Sequence, residues 1–346
     1  MSTAARAQDL QAEVIQRYGV GPRYADAYLS YWAQARGRAP RTLAEIFARP
    51  EPEPMWFDFA MSANWRGDQL AERLFPLLPA GARRYLDVGS GFGGYLVAFA
   101  RRGLDVAGIE IDPVRIELSR ANLADAGLGE RVQERSVLES GLADRLGTFD
   151  VITCIDVIEH VDDARTAMVN MTALLRPGGV LVLEIPNAEA AASVARDGHF
   201  GLFGITLLDR DDARAYHRQY FSDPYDVGEY HSLGYYEASF AALGCSSRLL
   251  EAVPPPQRPS VKQLATGLLA GLRRYRTETR SALPEPLRRL LDRSFAAYLG
   301  RLGAAYAMRG LGPRFRRRFD LRYLPEFWTV LVAKSGGPTA ESPAPR

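Results

Sequence analysis

The chain has 346 residues, of which 47% are hydrophobic and 24% charged, with a formal net charge of +2. This composition excludes a collagen-like or disordered chain, and the length predicts about two domains, or one domain with insertions. No apolar run approaches the roughly 18 residues of a membrane span, and the first ten residues do not resemble a secretory signal. Only two cysteines occur, Cys154 and Cys245, which excludes a disulfide framework and predicts a cytoplasmic protein.

Residues 1–80 have helical patterns separated by glycine and proline breaks, and we predict that they form an N-terminal helical cap. The last break, at residues 50–54, has proline at alternate positions and predicts an extended linker. A helix from Asn64 to Leu77 then leads into the next segment.

Short apolar runs alternate with helical stretches in residues 81–186, which we predict to be the cofactor-binding core. Apolar strands separated by helices indicate a parallel sheet covered on both faces, as in a doubly wound α/β fold. The predicted strands are 84–88, 105–109, 131–137, 149–155 and 180–185.

The alternation stops after Pro186, and two irregular segments interrupt what remains of the core. The first is rich in aromatic residues and holds three of the four histidines, while the second contains two amphipathic helices. The predicted division is an acceptor-side insert at 187–235, a core continuation at 236–253, a basic helical insert at 254–322, a final core strand at 323–334 and a disordered tail at 335–346.

Charge is segregated along the chain. Residues 258–322 contain 16 basic and four acidic residues, a net charge of +12, whereas the rest of the chain carries −10. The favoured interpretation is a solvated face of a lid. Alternatives are a surface that selects an anionic acceptor, docks on nucleic acid or acidic lipid, or forms a homodimer contact.

A glycine-rich turn follows the first predicted strand of the core. Gly89, Gly91 and Gly94 match the G-x-G-x-x-G spacing, which lets a ligand approach the backbone beside a helix N-terminus. Asp87, two residues before Gly89, suits a cationic amine and disfavours a pyrophosphate. Glu110 follows Gly89 by 21 residues, the spacing at which an acid accepts ribose hydroxyls.

Four motifs in this order resemble those of class I S-adenosylmethionine-dependent methyltransferases, in particular the ubiquinone-biosynthesis-like O-methyltransferase branch. They are LDVGSGFGG, GIEIDP, FDVITCIDVIEHV and LLRPGGVLVLEIPN. The resemblance covers about residues 82–186, and more loosely 236–253 and 326–334. It implies a seven-stranded, mostly parallel Rossmann-like sheet with an antiparallel last strand, and S-adenosylmethionine as the cofactor.

The resemblance also implies which residues bind this cofactor. Asp87 and the glycine turn would hold its methionine end, Glu110 its ribose, and Ile111, Ser136 and Val137 its adenine. Arg66 or Trp65 would close the site. The full set of expected cofactor-binding residues is Asp87, Gly89, Ser90, Gly91, Gly93, Glu110, Ile111, Ser136, Val137 and Asp156.

Methyl transfer to a hydroxyl usually requires a base that takes the hydroxyl proton. The candidate catalytic residues are His231, Asp156 and His217, and no ligand spacing predicts a metal site. The expected reaction is O-methylation of a small or sugar-like acceptor, with phosphate-bearing and nucleotide-linked acceptors included. The alternatives are an RNA or protein methyltransferase, and an NAD-dependent dehydrogenase.

Overall fold

The computed structural model describes residues 3–37, 40, 42–49, 53–250 and 260–335. Its centre is a seven-stranded sheet in the order β3-β2-β1-β4-β5-β7-β6. Strands β1 to β5 pair in parallel, whereas β7 is antiparallel to both of its neighbours. The predicted fold class is confirmed, including the antiparallel last strand. The strands are β1 (Arg84–Val88), β2 (Asp105–Glu110), β3 (Val132–Glu134), β4 (Phe149–Cys154), β5 (Leu175–Pro186), β6 (Cys245–Leu250) and β7 (Phe327–Lys334).

Helices cover both faces of the sheet, as a doubly wound fold requires. One face packs against α5, α6 and α7, and the other against α8, α9 and α12. The helices are α1 (Thr3–Tyr18), α2 (Pro22–Arg36), α3 (Leu43–Phe47), α4 (Glu53–Met61), α5 (Ala63–Leu74), α6 (Gly94–Arg101), α7 (Pro113–Asp125), α8 (Leu142–Leu146), α9 (Ala164–Leu174), α10 (Ala191–Ala195), α11 (Arg210–His217), α12 (Leu233–Ala242), α13 (Val261–Arg274), α14 (Glu285–Met308) and α15 (Pro313–Tyr323).

Several element boundaries differ from the sequence-based ones. Strand β5 begins at Leu175, five residues before the predicted start, because Leu175 already pairs with Phe149 of β4. Helix α4 begins at Glu53, so it includes the last two residues of the predicted linker. Residues 50–52, and all but the first residue of the predicted disordered tail, lie outside the described residues.

The N-terminal helices pack over the glycine turn. Helices α1 to α4 form one apolar cluster, which extends to Leu118 of α7 and to Phe92 within the turn. Asn64 and Asn122 exchange hydrogen bonds of 3.0 and 2.8 Å between their amides, and Asn122 also donates to the Phe92 carbonyl at 2.9 Å. These buried bonds connect α5, α7 and the glycine turn, so the N-terminal helical cap packs directly against this turn.

Helices α5 and α6 approach each other closely because glycine lies at their contact. A Cβ at Gly67 would lie 2.3 Å from the Gly94 carbonyl oxygen, and one at Gly94 would lie 2.2 Å from the Ala63 carbonyl oxygen. Backbone atoms cannot move aside as a flexible side chain can. The close approach of α5 to α6 therefore depends on the absence of a side chain at Gly67 and at Gly94.

The two segments predicted as separate inserts share one hydrophobic core. Side chains of α10 and α11, from the first segment, pack with those of α13, α14 and α15 from the second. Glu189 accepts hydrogen bonds from Arg301 and Arg322 and joins the segments further. Among the described residues, no helix has both the length and the hydropathy needed to cross a bilayer.

We predict that Gly67→Ala lowers the free energy of unfolding by about 1–3 kcal/mol, because the added methyl group overlaps a backbone carbonyl. Urea denaturation measures the change. Gly300→Ala is the matched control. Its added Cβ meets nothing within 4 Å, so the better helix propensity of alanine should stabilise α14 by up to about 1 kcal/mol. Equal effects of the two substitutions would contradict the close approach of α5 to α6.

Candidate active site

The carboxylate of Asp87 is buried at the end of β1 with one oxygen satisfied and one free. Thr153 donates its hydroxyl to Asp87 Oδ1 at 2.7 Å, whereas Oδ2 is buried without a partner among the described residues. Burial raises the pKa of Asp87 to about 8, opposed by the Thr153 hydrogen bond and assisted by the charge of Glu110. Since an unpaired buried acceptor is costly, the site suits a ligand that presents a cationic donor.

The turn after Asp87 needs glycine for its backbone conformation and for close packing. Gly89 has φ +72°, and a Cβ there would lie 2.3 Å from Cγ2 of Val157. Gly89 and Ser90 both donate their amides to the Ile109 carbonyl of β2, at 2.8 and 3.0 Å. The turn therefore lies between the ends of β2 and β4 and borders the side chain of Val157.

Glu110 ends β2 and is held by backbone donors. Its two oxygens accept from the amides of Gly91, Ile111 and Asp112 at 2.9, 2.8 and 3.0 Å. These bonds orient the carboxylate beside the glycine turn. Oε2, which accepts only the Gly91 bond, keeps acceptor capacity for a ribose hydroxyl. The residues present fit S-adenosylmethionine: Asp87 would hold the ammonium and Glu110 the ribose.

The expected adenine-binding residues border the same edge of the sheet. Ile111 is 67% exposed and Val137 is buried. The Ser136 hydroxyl accepts from the Leu138 amide at 3.1 Å, and Asn170 donates to the Val137 carbonyl at 2.7 Å. These bonds order the loop after β3, and the exposed Ile111 side chain offers an apolar surface to a flat ring.

Asp156 adopts a strained backbone conformation just after β4. Its φ of 55° is the only positive value among the described non-glycine residues, and such strain is often found at functional sites. Its Oδ2 lies 3.9 Å from Nη1 of Arg66. Arg66 also stacks on the Phe59 ring at 3.6 Å and donates to the Phe59 carbonyl at 3.1 Å, which orients the guanidinium.

A cavity of about 610 Å³ opens between α5, α6 and the ends of β4 and β5, and we name it the Asp156 cavity. It contains both charged and aromatic side chains. Burial and the charge of Asp156 raise the pKa of Glu184, which lies on β5. The polar and aromatic lining includes Trp65, Arg66, Arg73, Tyr95, Asp156 and Glu184.

The two predicted catalytic histidines lie outside the lining of this cavity. His231 stacks on Tyr235 with 4.0 Å between ring centroids. His217 is fully buried between aromatic rings such as Phe200 and Phe221, and neither of its ring nitrogens has a partner among the described residues. Asp156 alone of the three catalytic candidates lines the cavity, and the assignments to His231 and His217 stay predictions.

The sequence analysis missed a second group, formed by Glu159, His160 and His199. One ligand atom of each lies within 4.8 Å of the others, so the group has donors that divalent transition metals prefer. Burial raises the pKa of Glu159 to about 8 and lowers that of His199 to about 4. Spacing could not reveal this group, because His199 is 39 residues beyond His160 and reaches it only through the fold.

Comparison with known proteins gives the family. A family model described as a methyltransferase domain matches residues 31–246. The chain belongs to this family. It is a class I S-adenosylmethionine-dependent methyltransferase, and the predicted cofactor and enzyme class are confirmed. The alternative of an NAD-dependent dehydrogenase is thereby excluded.

Curated relatives of this methyltransferase match about a third of its chain. A ubiquinone biosynthesis O-methyltransferase of Xanthomonas axonopodis is 37% identical over 116 residues, 34% of this chain and 48% of the relative. One of Psychrobacter arcticus is 35% identical over 133 residues, 37% of this chain and 50% of the relative. The chain thus spans about half the length of these relatives.

Solved structures with similar folds are more distant. The SAM-bound amino pentose methyltransferase CalS10 of Micromonospora echinaspora is 22% identical, with a TM-score of 0.40 over 60% of this chain and 93% of its own. A putative sarcosine dimethylglycine methyltransferase of Galdieria sulphuraria is 18% identical, with a TM-score of 0.43 over 78% and 86%.

We predict that the methyltransferase binds S-adenosylhomocysteine more tightly as pH rises towards 8. The ligand ammonium pairs with ionised Asp87, whose pKa in the free protein is about 8, so the association constant should rise by roughly tenfold per pH unit below that value. Calorimetric titration between pH 6 and 9 measures it.

Asp87→Asn should weaken binding and remove most of this pH dependence. The control is Asp105→Asn, which makes the same substitution at the exposed start of β2, and it should keep the wild-type profile. A flat profile for the wild-type protein would contradict a role for Asp87 in binding the ammonium.

Proposed function

We propose that this methyltransferase transfers a methyl group to a hydroxyl oxygen of a small, sugar-like acceptor in the Asp156 cavity. The proposal is supported by the curated O-methyltransferase relatives, which are 35–37% identical to about a third of this chain. It is also supported by the position of the cavity at the carboxyl ends of β4 and β5, where ligands bind in open α/β sheets.

The cavity supports an acceptor with several hydroxyl groups. Carboxylates such as Asp156 and Glu184 accept hydrogen bonds from hydroxyls, and the rings of Trp65 and Tyr95 offer flat apolar surfaces to a sugar or phenol ring. The cavity lining contains Arg66 and Arg73 but no arginine of the basic insert. The charge of the insert therefore does not favour an anionic acceptor over a neutral one.

The reaction is an in-line displacement in which a C–O bond forms, a C–S bond breaks and the hydroxyl proton leaves. When bound, S-adenosylmethionine supplies a methyl group that its sulfonium has already activated. The protein must align the acceptor and take the proton. We assign the proton to the Asp156–Glu184 pair, because burial and mutual repulsion raise the pKa of Glu184 towards neutrality and make it a stronger base.

Glu184→Gln is expected to reduce turnover by roughly 10²-fold or more, because the amide cannot accept the hydroxyl proton. The affinity for S-adenosylhomocysteine should change little. Glu72→Gln is the control, since Glu72 lines the same cavity at an exposed position. A loss of cofactor affinity equal to the loss of turnover would assign Glu184 to cofactor binding instead.

His231→Ala tests the sequence-based assignment against this one. We expect turnover of this variant to fall by less than about tenfold, because His231 packs on Tyr235 away from the cavity lining. Single-turnover kinetics with saturating cofactor would measure the chemical step. A loss of roughly 10²-fold with His231→Ala, together with normal turnover of Glu184→Gln, would transfer the role of base to His231.

The acceptor itself can be found by incubating cell extract with isotopically labelled S-adenosylmethionine and the purified protein, followed by mass analysis of labelled products. A labelled methyl ether on a small polyhydroxylated compound is the expected result. Label on nitrogen, RNA or protein would contradict the proposed acceptor class, while Glu184→Gln controls for background methylation.

A further inference from the structure

The end of α14 and the first part of α15 form a surface that we name the basic tip, residues 299–319. The range contains six arginines and no acidic residue. It also exposes large apolar side chains, with Leu311 at 71% and Tyr306 at 51% exposure. The basic tip lies beyond residues 31–246, the part that the methyltransferase family model matches.

An apolar groove of about 390 Å³ adjoins the basic tip between α13 and α14. Its lining is almost entirely hydrophobic and includes Leu268 and Leu269 of α13, Leu302 and Tyr306 of α14, and Phe319 of α15. The Leu269 side chain is 67% exposed. Contiguous apolar surface of this kind marks an interaction site more often than a solvated face.

A second cavity opens beside the groove, at the cationic part of the basic tip. A cavity of about 520 Å³ is lined by Tyr306, Ala307, Arg309, Gly310 and Arg316, so Tyr306 borders both spaces. Arg309 pairs with Asp320 at 3.2 Å. By contrast, the four arginines of α15 that precede Phe319 make no ion pair with any described residue; they are Arg314, Arg316, Arg317 and Arg318. Two guanidinium groups at one opening suit a phosphate, which each can bind in a bidentate manner.

We propose that the basic tip docks on the surface of a bilayer that contains anionic lipids. Lipid phosphates would bind at Arg309 and Arg316, while Leu311 and Met308 insert among the acyl chains. A bilayer surface matches both properties of the tip, since it offers negative charge outside and hydrocarbon beneath. The proposal does not depend on the identity of the methyl acceptor.

Other partners match the surface of the basic tip less completely. A second copy of this chain would bring two sets of unpaired arginines together, and like charges repel. Single-stranded nucleic acid would match the arginines and stack on Tyr306 and Phe315, but it would leave the exposed aliphatic side chains of Met308 and Leu311 without a partner. We therefore take a bilayer as the occupant and treat the other two as outcomes of the test.

Vesicle co-sedimentation with the full-length protein tests the proposal. The probes are vesicles of equal parts phosphatidylglycerol and phosphatidylcholine, and vesicles of phosphatidylcholine alone. We expect binding to the anionic vesicles, with a partition constant that falls as salt is added, and little binding to the neutral ones. Replacing Arg316, Arg317 and Arg318 together with glutamine should lower that constant by about 100-fold.

Two further variants distinguish binding at the basic tip from a general effect of the protein's net charge. The control replaces three exposed arginines elsewhere, Arg165, Arg218 and Arg248, with glutamine and should keep most of the binding. Leu311→Ser should weaken binding about tenfold at every salt concentration, because it removes an apolar contact and no charge. Circular dichroism and S-adenosylhomocysteine binding check that each variant is folded.

Three results would overturn the proposal. Equal losses in the control and in the Arg316–Arg318 variant would show that net charge alone drives binding. Retention on RNA with no binding to anionic vesicles would assign the tip to nucleic acid. Self-association that Leu311→Ser abolishes, again without vesicle binding, would make the tip an interface between copies. Failure of the proposed O-methylation would change none of these measurements.

Discussion

The burial of Asp87 is the constraint on which the cofactor site depends. A carboxylate at the end of a central strand has one oxygen bonded to Thr153 and one that no described residue satisfies. Burial raises the pKa of Asp87 to about 8, so this carboxyl group changes its charge close to neutral pH in the free protein. A ligand that brings a positive charge recovers the lost solvation, and a pyrophosphate would not. The unsatisfied oxygen of Asp87 therefore favours a ligand with a cationic amine, such as the methionine end of S-adenosylmethionine.

The surroundings of Asp87 position the other parts of the site. Helix α5 approaches α6 closely because Gly67 and Gly94 have no side chains. This contact brings Arg66 to the end of β4, where it lies 3.9 Å from Asp156. Asp156, with its strained backbone, and Glu184, with its raised pKa, therefore line one cavity. This cavity lies next to the expected position of the methyl group. Tight packing of α5 against α6 thus determines where the charged groups meet.

The parts outside the methyltransferase core have their own organisation. The segments 187–235 and 254–322 are far apart in sequence, yet their helices bury a common set of apolar side chains. Among the described residues, this shared core leaves the outer faces of α14 and α15 uncovered, and the basic tip there carries arginines without an ion pair and the exposed Leu311. One chain therefore combines a methyltransferase cofactor site with a separate surface that is basic and apolar.

The sequence by itself determined the fold class, through its alternation of strands and helices, and the cofactor, through motifs that resemble those of known methyltransferases. Strand and helix periodicity and glycine spacing are local patterns in the sequence. Asp87 and Glu110 likewise lie within a few residues of the strand ends that position them. Only the tertiary structure decided the composition of the Asp156 cavity, the group formed by Glu159, His160 and His199, and the common core of the two inserts. These depend on side chains that are distant along the chain, and packing of helices across a sheet brings them together in ways that no local pattern encodes.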